Sequence, residues 1–505
     1  MPRPPPRASG YSTRVKALST IIGGRPTTNL LIATTAMLIA LTYIVMALPV
    51  TSQLFAAFGT TLIAVFFARP KPSLLALVAG EVLIGMLWWV EDTLMGLNLM
   101  EAYSGMATAL LVAQVALLFR QAERHPLLLA MVAFSGLLLV GAARAPTPLA
   151  GIGEFVRYIS PFVLLMVMTT MYRRRVWQRR AVVALGLVGV VPLVVSLYFL
   201  ASGQMAELEA SGINRLRGGY KDISSQGQTM ACFAALAAVG VHHWRGWKRG
   251  AATAYFLGAA ACVYLSHSRT AQIGLAVFLL AYLLLERRFV VTAVALALGV
   301  AILATNLTLQ DRFDDIVLFF TIDAIEGQSA IDKLGSGRIR IWRFSLASFA
   351  EKSPLDWMLG VGLESHRSLY LEHRTWGKSS HNDYLTLLFQ TGPFAVLLYL
   401  YLLGRSVALA TTIRRATSGW EQTFANYLIA MVCTVAVMNF FSNAFVSRIG
   451  TSWIFWGAVG LLFGIGARLE REGTLTIRKA RAKDPPPQTV PAGVRAAATS
   501  PGTAR

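Results

Sequence analysis

The chain has 505 residues, of which 55% are apolar and 14% charged, and apolar runs of about 20 residues, the length that crosses hydrocarbon, recur from end to end. That composition excludes a soluble enzyme and defines a polytopic membrane protein. The net charge of +21 raises nucleic acid as a partner, a reading that requires the basic residues to gather on one soluble face.

Residues 1–27 form a Pro- and Arg-rich arm that lacks the apolar region of a cleaved signal peptide. Spans are predicted near 28–48, 50–68, 72–90, 100–119, 126–143, 152–171, 181–201, 226–243, 249–267, 270–286, 288–305, 381–404, 421–441 and 449–467. Allowing for re-entrant runs, the expectation is about 12–14 transmembrane helices in an all-α polytopic membrane protein. The arm 1–27 precedes a bundle over 28–305, a large loop over 306–380, C-terminal membrane helices over 381–467 and a basic, disordered tail over 468–505. On this topology every connection on one side carries Lys or Arg, whereas the connection 91–99 on the other side is acidic and carries neither. The positive-inside rule then puts both termini in the cytoplasm. Topology accounts for the excess charge, and no nucleic-acid partner is expected. Cys232, Cys262 and Cys433 all fall inside apolar runs and are expected to pack as small core residues, with no metal motif or disulfide framework.

Two segments on the outer side are long enough to carry chemistry. The first, 201–225, contains Arg215-Leu216-Arg217-Gly218-Gly219. The second, 306–380, has nearly balanced charge, and its Ile339, Trp342, Leu346 and Phe349 recur at helical spacing. An amphipathic helix lying over the membrane face is expected there, bracketed by Gly335 and Gly337 before it and by Gly360 and Gly362 after it. Between the two segments, Ser266-His267-Ser268-Arg269 joins two spans with almost no loop, which sets Arg269 at the outer mouth of the bundle. A cation so close to hydrocarbon calls for a counter-charge or an anionic ligand. Each arginine also has a plainer reading. Arg269 could snorkel to lipid phosphate, Arg215 and Arg217 could be solvated loop charges, and Arg338 and Arg340 could form the wet face of their helix.

Ser379-Ser380-His381-Asn382-Asp383-Tyr384-Leu385 leads from the long loop into an apolar helix expected to reach about Leu403. Ser380 is the expected cap, and the positive end of the helix dipole keeps His381 neutral and able to accept a proton, as a general base must. The plainer reading is an interfacial histidine satisfied by a loop carbonyl. Elsewhere, Glu81 near the middle of a span is either functional or a bridge between helices. Glu154 and Arg157 are placed to pair on one helix face. His242 and His243 read as interfacial packing residues on the cytoplasmic side.

The Arg-Leu-Arg-Gly stretch, the Ser-His-Ser-Arg junction, Ser336-Gly337-Arg338 before Ile341-Trp342, the turn Leu359-Gly360-Val361-Gly362 and Ser380-His381-Asn382-Asp383-Tyr384-Leu385 occur in this order. In that order they resemble the O-antigen ligase and polymerase superfamily, over about residues 30–467. The resemblance implies a C-type glycosyltransferase fold in the bacterial inner membrane, with a periplasmic active site that uses no cofactor, metal or nucleotide sugar. Its partners would be a glycan linked to undecaprenyl diphosphate, an acceptor that is either lipid A core or a second lipid-linked glycan, and membrane lipid. His381 would be the catalytic base. Arg217 and Arg269, then Arg215 and Arg338, would hold the diphosphate, with Asn382, Arg340 and Tyr384 in support. Direct displacement by the acceptor hydroxyl would invert the anomeric centre. A ligase is favoured, with an O-antigen or exopolysaccharide polymerase as the alternative. A transporter or flippase is the alternative of another class, and would place its polar groups near the bilayer midplane on broken helices or internal repeats.

Overall fold

A chain that crosses hydrocarbon must satisfy its backbone polar groups internally, and helices do so within each segment. The computed structural model describes residues 61, 63–87, 93–94, 97–118, 125–203, 206–208, 213–220, 222–291, 293, 338–366, 369, 380–444 and 449–475. It is an all-α membrane protein. The arm 1–27, the predicted span 28–48, most of the long loop and most of the tail lie outside the described residues, as do the greater parts of spans 50–68 and 288–305.

The helices are α1 (Pro70–Ile84), α2 (Leu99–Leu117), α3 (Leu128–Ala143), α4 (Pro148–Met171), α5 (Arg175–Val188), α6 (Val190–Ala201), α7 (Ile223–His243), α8 (Trp247–Leu265) and α9 (Arg269–Leu285). They are followed by α10 (Arg338–Ala350), α11 (Pro354–Leu359), α12 (Asp383–Ala416), α13 (Trp420–Phe441) and α14 (Ile449–Arg471). Among the described residues, five stretches are long and apolar enough to cross a membrane unaided: α4, α5 with α6, α12, α13 and α14. The predicted span 181–201 divides at Gly189, where the rings of Phe233 and Tyr255 close onto the backbone. Two short antiparallel ribbons were not foreseen. One joins β1 (Thr93–Leu94) to β2 (Leu97–Asn98), and the other, β3 (Ala206–Leu208) with β4 (Ile213–Arg215), sets Ala206 opposite Arg215.

The core sits where α14 packs along α4, with α13 between α9 and α12 and α7 along α8. Trp453 and Trp456 of α14 are fully buried; Trp453 Nε1 donates to Ser160 Oγ at 3.0 Å, and the Trp456 ring stands 4.7 Å from that of Phe162. Cys232 and Cys262 are buried as expected. Cys433 is exposed on the surface of α13, a correction that its apolar surroundings in sequence could not reveal, because a lipid-facing position is as apolar as a core one. Glu81 accepts a hydrogen bond from Ser104 Oγ at 2.6 Å, so it bridges α1 and α2, and Glu154 pairs with Arg157 one turn along α4.

Helix alternation sorts the charges onto two ends. At one end Arg468 reaches Gln178 and Glu421, Arg175 also reaches Glu421, Arg414 donates to Leu285 O, and Tyr172 donates to Lys71 O. This basic end ties together α1, α5, α9, α12, α13 and α14. The starts of α7, α9 and α12 all lie at the other end, and with them come the predicted site segments.

Candidate active site

Arginines from two separate segments are stitched together by backbone. Leu216 N donates to Leu265 O at 3.0 Å, which fastens the strand end carrying Arg215 and Arg217 to the last turn of α8. Two residues later the chain turns through His267, at φ 50°, and α9 begins at Arg269. The turn after Arg217 is closed by Arg217 Nε donating to Tyr220 O at 2.8 Å and by Tyr220 N donating to Arg217 O at 3.2 Å. Gly218 is required there: its φ is 56°, and a Cβ would fall 2.4 Å from Ser196 Oγ.

The long loop supplies the third arginine. The amphipathic helix is present as α10, but its docked face is turned from the one expected. Ile341 and Ser345 are buried and Leu346 is half exposed, so the docked stripe runs through Arg338, Ile341, Trp342, Ser345 and Phe349. Trp342 Nε1 donates to Ser380 O at 2.8 Å, and its ring stands edge-on to Phe440 at 5.2 Å. Arg338, one turn before Trp342, therefore shares the docked face, contrary to the wet-face reading. Arg340 is two positions further along the helix, and its side chain lies outside the described residues.

His381 follows Ser380 directly. It is half-buried and has a φ of 50°, a left-handed conformation that costs a non-glycine residue and concentrates at functional sites. It precedes the helix instead of lying in its first turn. The cap is Asn382, whose side-chain oxygen accepts from Leu385 N at 3.0 Å. Ser380, the expected cap, instead hydrogen-bonds Asn382 O and Thr386 Oγ1, at 2.8 and 2.7 Å, and so braces the turn that presents His381. Asp383, fully buried, opens α12. The Tyr384 hydroxyl donates to Ala436 O at 3.1 Å, which commits it to the contact between α12 and α13.

A polar seam connects these parts. Asn443 Nδ2 donates to Thr386 Oγ1 at 3.4 Å, Gln228 Nε2 donates to Ser442 Oγ at 2.8 Å, and Thr270 Oγ1 donates to Phe441 O at 3.3 Å. Through it the end of α13 holds the starts of α7, α9 and α12 together. Three helix N-termini, the positive ends of their dipoles, thus lie at the end that carries Arg215, Arg217, Arg269, Arg338 and His381.

The electrostatics are those of a site short of negative charge. Burial, and then the charge of Arg269, pushes the Arg338 guanidinium down to about 10 and holds Arg215 below its ordinary value. Arg215 Nε is buried with no hydrogen-bond partner among the described residues. An anion bound between these arginines would relieve the repulsion and supply the missing acceptor. Among the described residues, acidic groups at this end include Asp222, which caps α7 by accepting from Ser224 N at 3.0 Å, and buried Asp383. Among the described residues no cluster of three His, Cys, Asp or Glu is arranged to hold a metal ion.

The turn Leu359-Gly360-Val361-Gly362 has a role that motif reading missed. Helix α12 extends to Ala416, beyond the expected Leu403, and breaks at Gly392-Pro393, with Gly392 at φ 76°. Pro393 has no N–H to return to Phe389 O. Val361 N donates to Phe389 O at 2.8 Å, Gly362 N donates to Gln390 O at 3.1 Å, and Leu363 N donates to Gly141 O at 2.8 Å. The glycine turn is a backbone plug in a broken helix. Beside it, buried Gln390 accepts from the Tyr158 hydroxyl at 2.9 Å and hydrogen-bonds His366 Nδ1. The Gly-Pro pair inside an apolar run was the signal for the break.

No curated protein matches this chain. A family model described as O-Antigen ligase matches residues 254–400, from α8 through the kink of α12. The matched segment contains Arg269, Arg338, the glycine plug and His381, and begins after Arg215 and Arg217. Residues 254–400 of this polytopic membrane protein are thus similar to the O-antigen ligase family, in keeping with the ligase and polymerase superfamily that its motifs resemble.

Proposed function

We propose that the protein is an O-antigen ligase-type glycosyltransferase. It moves a glycan from undecaprenyl diphosphate to a sugar hydroxyl of lipid A core, at the periplasmic face of the bacterial inner membrane, with both termini cytoplasmic. The reading rests on one observation above all: Arg215, Arg269 and Arg338, from three separate segments, interact electrostatically at the end of the bundle where Trp342 docks on the residue before His381. The acceptor oxygen attacks the anomeric carbon and forms the new glycosidic bond as the bond to the diphosphate breaks. His381 takes the hydroxyl proton, and the leaving diphosphate takes the bonding electron pair. Its growing negative charge falls on Arg269 and Arg338, with Arg215 and Arg217 beside them, and fixed guanidinium groups supply that stabilisation without reorganising. A single displacement inverts the anomeric configuration.

The test is glycan transfer by purified protein from an undecaprenyl-diphosphate oligosaccharide in EDTA. A lipid A core acceptor and donor alone are offered in parallel, and wild type is compared with His381→Ala and Arg269→Ala. Inverted product on the core, lost by a factor of about 100 or more in His381→Ala, is expected. A growing ladder from donor alone would replace the ligase reading with a polymerase. Transfer that survives His381→Ala in full, or transport of the donor that does, would overturn the enzyme mechanism.

A further inference from the structure

The basic end carries a feature unrelated to the glycan chemistry. Between α5, α6, α7 and α8 lies a groove of about 490 Å³, within the ~300–1,000 Å³ of ordinary ligand sites. It is left open at Gly186, which lines it and places no side chain where a Cβ would meet nothing within 4 Å. The walls are apolar, with Val182, Leu187, Val190 and Leu236 among them. Leu187 is 61% exposed and Val190 37%, so the groove opens sideways from the bundle; because α5 with α6 is long and apolar enough to cross a membrane, acyl chain would face that opening.

Its mouth has the opposite character. Arg179, Arg245 and Lys248 line it, all exposed, together with His243, Trp244 and Trp420. Among the described residues no Asp or Glu lines it. The nearby carboxylate, Glu421, is held by Arg175 and Arg468, and Glu286 accepts from Asn426 and lies 3.4 Å from His242. An apolar slot headed by exposed cations and by tryptophans, with Arg179 over the Trp420 ring at 5.7 Å, fits an amphiphile with an anionic head and a hydrocarbon tail.

We propose that this groove binds an anionic diacyl phospholipid from the leaflet facing the basic end. One acyl chain lies along α5 and α7, and the phosphate is held by Arg179, Arg245 and Lys248. The 21-residue α7 starts at the candidate active site and ends at the groove, about 30 Å away. The lipid is therefore a resident of the scaffold and not the glycan donor, and the inference stands whether or not the glycosyltransferase reading does.

The experiment uses the full chain in phosphatidylcholine nanodiscs containing a small fraction of phosphatidylglycerol with a photoreactive acyl chain, or the same probe on phosphatidylcholine. Cross-linked peptides are mapped by mass spectrometry. Wild type should label on α5 and α7 at least tenfold more with the anionic probe, and unlabelled phosphatidylglycerol, but not phosphatidylcholine, should compete. Arg179→Gln, Arg245→Gln and Lys248→Gln should each lower the preference about fivefold, and Gly186→Phe should remove labelling by either probe. Arg174→Gln, an exposed cation of the same end outside the groove, should change nothing. Equal labelling by the two probes, or an anionic preference untouched by all three charge substitutions, overturns the proposal. The competition on wild type decides the matter even if a variant fails to fold.

Discussion

Replacing Gly392 with alanine puts a methyl group into backbone. The residue sits at φ 76° and ψ 177°, a region that costs any other residue about 1–3 kcal/mol. The new Cβ would lie 2.2 Å from Met358 O and 3.2 Å from Gly360 N, and neither atom can swing aside as a side chain would. Relief requires the glycine turn to withdraw, which abandons the bonds from Val361 N and Gly362 N to the carbonyls freed by the break. Overpacking of this kind adds about 1–3 kcal/mol, for a combined loss of roughly 2–6 kcal/mol. Gly404, in the same helix, is the control, since a Cβ there meets nothing within 4 Å and should gain up to about 1 kcal/mol of helix propensity. The assay is thermal unfolding of the purified protein in one detergent, followed by tryptophan fluorescence. At roughly 2 °C per kcal/mol, Gly392→Ala should melt about 4–12 °C below wild type, with Gly404→Ala at or above it. If the two variants melt together, the glycine turn does not plug the kink and the reasoning fails.

Three further outcomes are expected. Trp342→Phe keeps a ring against Phe440 but removes the donor to Ser380 O; stability should fall by about 1 kcal/mol, and glycan transfer by about tenfold or more if the turn bearing His381 loosens. Arg338→Lys should make transfer pH-sensitive. Burial and Arg269 depress the cation at this position, and the same depression applied to a lysine, ordinarily near 10.4, brings it to about 8. Because a depressed basic group loses its proton as pH rises, kcat/KM of that variant should decline between about pH 7 and 9 while wild type holds, and a flat profile would count against a charge role. Arg144→Ala breaks the pair with Asp356, whose side chains are 26% and 23% exposed, and should cost under about 1 kcal/mol by melting. A larger loss would mean the pair anchors α11.

The spans were legible because hydrocarbon leaves few choices: length, apolarity and the asymmetry of Lys and Arg suffice to place most helices. The candidate site residues stood out as types at loop ends, since arginines and a histidine crowded against a membrane are expensive without purpose. The contacts that assemble them were not. Nothing in the run Arg338–Phe349 says that the docked stripe passes through Ser345 and leaves Leu346 out, because the partner surface, including Phe440 and Ser380, lies far away in sequence. Ser380 and Asn382 are both good caps, and only the backbone turn at His381 decides between them. Cys433 shows the same limit in reverse, since sequence cannot tell a lipid-facing position from a core one.

That turn also explains why a histidine here is better placed before the helix than inside it. Within the first turn, a side chain on α12 would be directed by helix geometry back along the helix surface, in whatever direction the packing of α12 against α13 dictated. Held at φ 50° between Ser380 and Asn382, His381 is instead aimed by a local network. The network comprises the Ser380 hydroxyl on Asn382 O and Thr386, the Asn382 cap on Leu385 N, and Trp342 on Ser380 O. The last of these belongs to α10, the helix that also carries Arg338. One docking event therefore sets both the proposed base and a proposed diphosphate-binding cation, so that α10 leaving its seat would remove both from the candidate site together. On the proposed mechanism this couples the position of the long loop to catalysis: substitutions that unseat α10 should lower kcat, whereas those that only lengthen the loop between 306 and 337 should leave it unchanged.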